Sequence, residues 1–108
     1  MFGYAIMFGA GNDFMGLTGW FLNGAESGAG VPLYAFWLFQ ATFCGAAATI
    51  VAGGMAERMK FSAFVVLSLL WATFVYDPVC HWVWGVGGFL RNMGALDFAG
   101  GTVVHINA

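Results

Sequence analysis

The chain has 108 residues, 61% hydrophobic and 7% charged, where an average soluble domain is about 25% charged. Three basic and five acidic residues, for a net charge of −2, cannot supply the polar shell of a soluble domain. They also exclude the basic footprint of a nucleic-acid binder and the charge-rich, aromatic-poor composition of a disordered chain. What remains is a membrane protein. At about 20 residues per span, a chain of this length holds at most about four.

Residues 1–9 are apolar and read as the end of a helix, without the basic region that precedes the apolar stretch of a signal peptide. Residues 10–30 carry Gly11, Gly16, Gly19, Gly24, Gly28 and Gly30 together with Asn12, Asp13, Asn23 and Glu26, a loop composition. Phe14, Trp20 and Phe21 place that loop at the membrane interface. Pro32 suits the first turn of a helix, and 31–56 reads as one span. Ala41, Gly45, Thr49 and Gly53 recur every four residues along it, a row that lets another helix approach closely. Glu57-Arg58-Met59-Lys60 is a tight charged connection, and 61–84 reads as the next span, kinked or interrupted near its far end by Pro78. Residues 85–96 form a second glycine-containing loop, after which Asp97 caps a helix over 98–108. Cys44 and Cys80 read as small apolar side chains, since neither belongs to a CxxC pair.

Arg58 and Lys60 sit in the shortest connection, while 10–30 contains no Lys or Arg, so the positive-inside rule puts 57–60 in the cytoplasm. Phe39 and His105 each lie eight residues in from the outer end of a span, about 12 Å at the helical rise. Trp84 lies 23 residues past Phe61, about 35 Å, and therefore at the outer mouth. An aromatic at the mouth above an aromatic and a histidine suggests a path. Each residue also has a plainer reading: Trp82 and Trp84 as interface anchors, Phe39 as packing, Asp97 as a helix cap, His81 as an interfacial hydrogen-bonder. An ionisable residue inside a span, His105, points to function by default. No nucleophile–base pair, metal cluster or carboxylate dyad is present in the sequence, so no enzymatic activity and no cofactor is expected.

Phe39-Gln40, AERMKFSA (56–63), HWVWG (81–85), GYAIMFGAGNDFMG (3–16) and above all GALDFAGGTVVHINA (94–108) resemble the ammonium transporter (Amt/Mep/Rh) family. The resemblance covers nearly the whole chain. It implies an all-α, polytopic membrane helical bundle of about eleven helices. The chain would be a fragment running from late helix two to early helix five, with helices at about 1–9, 31–56, 61–84 and 98–108. It implies ammonium and ammonia as substrate, a multi-pass protein in the cell membrane and its lipid bilayer, a homotrimer, and a cytoplasmic signalling partner of the PII type. By the same resemblance, Trp84 matches the tryptophan of an outer recruitment site and Phe39 one of two stacked phenyl groups gating the pore. Asp97 matches the aspartate supporting the outer site, and His105 the first of twin pore histidines. The second phenyl, the outer-site serine and the second histidine would lie beyond residue 108. Asp77 before Pro78 is an unusual charge for the family, and GVGGFLRNMG (85–94) carries a residue more than some relatives.

The expected function is transport: ammonium is recruited at the aromatic site, deprotonated, and conducted as ammonia past His105. Rival readings are a membrane cytochrome subunit with His81 and His105 as haem ligands, an ammonium sensor on the same scaffold, and a purely structural helical subunit. The difference in depth between His81 and His105 speaks against the cytochrome.

Overall fold

The computed structural model describes residues 2–27 and 30–108. Met1, Gly28 and Ala29 lie outside the described residues, and with them the expected first residue of the opening helix and one of the loop glycines. Helices α1 (Phe2–Phe8), α2 (Leu33–Met55), α3 (Phe61–Trp71), α4 (Asp77–Trp84) and α5 (Phe89–Asn92) follow in order. A single 3₁₀ turn covers Trp20–Leu22, and π-helical turns cover Ala72–Tyr76 and Gly101–Ile106. Among the described residues there is no strand, only an isolated antiparallel bridge between Gly11 and Gly16. The fold is an all-α helical bundle.

α2 is apolar from end to end, and its 23 residues reach about 34 Å, enough to cross a hydrocarbon core of about 30 Å. It begins directly after Pro32, whose ring fixes φ at −53° and whose missing N–H costs nothing at a helix start. Hydroxyls within the apolar helices turn back on their own backbone. Thr42 donates to the Phe39 carbonyl at 2.6 Å and Thr49 to Gly45 at 2.9 Å, while Ser68 donates to Val65 and Thr73 to Leu69, both at 2.9 Å. Such bonds satisfy donors that a lipid environment would leave without water. The row Gly45, Thr49 and Gly53 faces outward, with open space around both glycines. Only 17% of each apolar stretch is buried within the chain, so neither is an interior helix of a soluble core.

Pro78 neither breaks nor ends the second long helix. The ring of a mid-helix proline presses on the carbonyl four residues earlier; here the helix widens into the π turn Ala72–Tyr76, where the Asp77 N–H reaches back to the Ala72 carbonyl. The helical path therefore continues from Phe61 to Trp84 through α3, the π turn and α4. At the last segment the expected and observed starts differ. Phe98, Ala99 and Gly100 are bent rather than helical, and the first regular turn is Gly101–Ile106.

α1 packs against α4, and His81 fastens the two. This imidazole is fully buried, with Nδ1 2.9 Å from the Met7 carbonyl and Nε2 2.9 Å from the Asn12 carbonyl. A neutral ring donates to one of these oxygens and an imidazolium to both. Around it, the chain after α1 doubles back as a tight hairpin. The Asn12 side chain accepts the N–H groups of Phe14 and Met15 at 2.9 and 3.0 Å, and the Gly16 N–H donates to the Ile6 carbonyl at 2.9 Å. Gly16 must be glycine, because any Cβ there would overlap the Ala5 carbonyl oxygen. Trp82 donates its indole N–H to the Phe14 carbonyl at 2.9 Å, so it holds this hairpin from α4.

Replacing His81 by Ala removes the ring's contacts to the α1 end and the hairpin, a cost of roughly 1–3 kcal/mol. The expected outcome is a lower unfolding midpoint together with faster proteolysis within residues 9–18. Unchanged protease resistance of that hairpin would show that His81 does not hold it.

Candidate functional site

Trp84 is the last residue of α4; two neighbours hold its indole and a third its backbone carbonyl. Its Nε1–H donates to the Asp97 carbonyl at 2.6 Å. Its own carbonyl accepts from Arg91 Nη1 at 2.7 Å. Its ring meets Phe43 of α2 edge-on, with centroids 5.8 Å apart. Phe43 in turn sits edge-to-face with Phe39 one turn away, at 4.9 Å and 84°. The three rings form a ladder with edge-on contacts, the arrangement aromatic quadrupoles favour. The i, i+4 spacing on α2 is what puts Phe39 and Phe43 on one stripe.

These rings line a cavity of about 1040 Å³ that also touches Asp97, Gln40 and Arg91. A second aromatic group closes its side. Tyr4, Phe8 and Phe36 pack in tilted and edge-on contacts at 5.2–6.2 Å, and the Tyr4 hydroxyl donates to the Glu26 carbonyl at 2.8 Å.

Asp97 organises the far wall. Oδ1 accepts the N–H groups of Gly100 and Gly101 at 2.7 and 2.9 Å, and Oδ2 those of Thr102 and Val103 at 2.8 and 3.0 Å. Partial burial works to raise its pKa. The amides of Val103, Thr102, Gly100 and Gly101 outweigh burial and hold the carboxyl below its ordinary value. The bend between carboxylate and amides needs Gly100 at φ +82°, with Trp84 Cη2 only 3.5 Å from where a Cβ would stand. Asp97 is thus a cap, but one acting across three bent residues, and it ties the Trp84 loop to the segment carrying His105.

The structure brings Trp84, Phe39 and Asp97 to one cavity. His105 is elsewhere: it is exposed and does not line that cavity. Because regular structure starts at Gly101, His105 is four residues into it rather than eight. His81 cannot serve as a haem ligand in this arrangement, since both ring nitrogens already face carbonyl oxygens at 2.9 Å. Phe43 was not singled out from the sequence, although its spacing from Phe39 was the available signal. Gln40, buried in the same wall, was marked only by its polarity in an apolar helix and by its place in the Phe39-Gln40 pair.

Comparison with known proteins decides the family. The model of the Ammonium Transporter Family matches residues 1–108. The chain belongs to that family. It is 48% identical to an ammonium transporter of Aquifex aeolicus, over 98% of this chain and 26% of the relative. It is 46% identical to an ammonium transporter of Bacillus subtilis, over 100% of this chain and 28% of the relative. Among solved structures it superposes on Candida albicans Mep2 with a TM-score of 0.85 and 35% identity, covering 94% of this chain and 24% of that one. The chain therefore spans about a quarter of the length of the relatives it matches. Membership of this family makes it a membrane protein.

Acid should undo the Asp97 cap with a definite sign. A carboxyl held below its ordinary value stabilises the fold above the usual aspartate pKa of about 3.9, and that contribution disappears as pH falls through the lower folded value. Between pH 5 and 8 the Trp84 indole N–H resonance should therefore hold still, and at lower pH it should shift as the cap opens. Asp97→Ala should give the shifted resonance already at pH 7; a native-like position in that variant would contradict the link between cap and indole.

Proposed function

We propose that this segment forms one wall of the substrate path in a multi-pass ammonium transporter of the cell membrane. The observation that carries the proposal is the aromatic cavity in which Trp84, tied to Asp97 by its indole N–H, sits beside Phe39 and Phe43. An indole face attracts a compact cation by roughly 0.5–2 kcal/mol, more when water is excluded. Trp84 and Phe39 are the cation's first contacts. Phe43, four residues further along α2 and in contact with both Phe39 and Trp84, takes the deeper gating position that the family resemblance attaches to Phe39. Asp97 supports the site without ligating: its oxygens are filled by four amides, so it offers negative charge and a fixed loop rather than a free lone pair.

Carrying a bare charge onward through an apolar passage costs far more than the aromatic contact returns. Ammonium can escape that cost by leaving a proton behind and continuing as ammonia. Potassium has no proton to lose, so the same route rejects it. His105, on the segment capped by Asp97, is assigned to the passage beyond the cavity, where its ring hydrogen-bonds ammonia or relays the proton. The Glu57–Lys60 turn faces the cytoplasm, where its two cations satisfy the positive-inside rule. A homotrimer and a PII-type cytoplasmic partner accompany this reading through family resemblance. A sensor on the same scaffold would bind ammonium and move none.

Uptake by a full-length transporter containing this segment tests the proposal. Trp84→Leu should raise the KM for methylammonium roughly tenfold, in line with loss of a partly desolvated cation–π contact. His105→Ala should lower the maximal rate or admit potassium. Unchanged uptake and selectivity in both variants would refute the site, and saturable binding without uptake would favour the sensor.

A further inference from the structure

Gln40 is a polar residue whose chemistry the path has not yet used. It lies on α2 one residue after Phe39 and three before Phe43, so its Cα falls between the two phenyl levels. It lines the same cavity and is 6% exposed. Its Oε1 is enclosed and meets no hydrogen-bond donor. An unpartnered buried carbonyl is destabilising, and an apolar residue of similar size would avoid that cost.

Three neighbouring polar groups are committed. The Asp97 carboxylate is filled by four amides. The Trp84 indole N–H is spent on the Asp97 carbonyl. Thr18 Oγ1, on the cavity wall, accepts the Ala10 N–H at 2.9 Å. Gln40 is left holding a strong neutral acceptor at the depth where a cation has passed Phe39 and meets Phe43. The terminal amide torsion is broad and roughly two-fold, so it can turn the oxygen toward the cavity without moving the helix.

Resting on the transport reading above, we infer that Gln40 is a further substrate-positioning residue: its carboxamide oxygen accepts an N–H of ammonium between Phe39 and Phe43. Aromatic faces attract the cation without fixing its orientation. One directional acceptor fixes one N–H axis, which presents the remaining protons to the rest of the site. The oxygen is enclosed by this chain's own atoms as the side chain stands, so it meets ammonium once the amide has turned it toward the cavity.

Methylammonium uptake by the full-length transporter tests this with Gln40→Met, which keeps size and loses the acceptor, and Gln40→Leu, which loses it in another shape. Gln40→Glu keeps the acceptor. Both acceptor-free variants should raise KM about tenfold, the scale of one hydrogen bond to a charged group. Their maximal rate per folded protein should stay within about twofold of wild type, and Gln40→Glu should return KM to within about threefold. A KM within twofold of wild type in Gln40→Met would overturn the assignment. So would a rate loss at constant KM, the mark of a structural role, or a Gln40→Glu variant as weak as Gln40→Met. Wild-type protein that folds yet shows no saturable uptake would instead remove the transport reading itself.

Discussion

The hydrogen bonds of Asp97 reach in two directions, and the arrangement of the site depends on them. Its carboxylate gathers four consecutive backbone amides from Gly100 to Val103, and its backbone carbonyl receives the Trp84 indole at 2.6 Å. One residue thereby fixes both the aromatic wall and the start of the segment carrying His105. A charge-assisted bond is roughly twice as strong as a neutral one, and four of them order a glycine-rich bend that would otherwise be conformationally costly. Trp84 can then present a fixed ring to the cavity, and Phe43 and Phe39 extend that ring across α2.

The supporting frame is built by the same means on the other side. His81 ties α4 to the end of α1 and to the hairpin at Asn12. Trp82 reaches the hairpin at Phe14, and Arg91 closes back on Trp84. The residues from His81 to Trp84 therefore hold structure on one face and the cavity on the other. Much of the surface of α2 and α3 remains apolar and open, as at Leu38, Val66 and Leu69. Such exposure suits lipid or further helices.

Much of this was legible because the signals were local. The uncharged run through α2, Pro32 at its start and the charged turn at Glu57–Lys60 mark a helix–turn–helix by composition alone. Asp97 read as a cap, yet its reach across Phe98–Gly100 depends on the positive φ of Gly100, and glycine permits that geometry without demanding it. Pro78 read as a kink or interruption near the far end of the helix; the interruption takes the form of a wider π turn just ahead of the proline, which relieves the clash of its ring. The partners of His81 are two backbone carbonyls roughly 70 positions away, and no sequence pattern records a carbonyl. Phe43 was hidden among 12 phenylalanines, and Gln40 became informative only when its oxygen was found buried without a donor.

The central claim is that a rigid Trp84 ring, fixed by Asp97, takes ammonium as a cation. It is tested most directly by following the Trp84 indole resonance in the purified full-length transporter as ammonium chloride is added, with potassium chloride at equal ionic strength as the control. The account predicts a saturable shift with ammonium that potassium does not reproduce. An indole signal that ignores ammonium, or answers both salts alike, would contradict it.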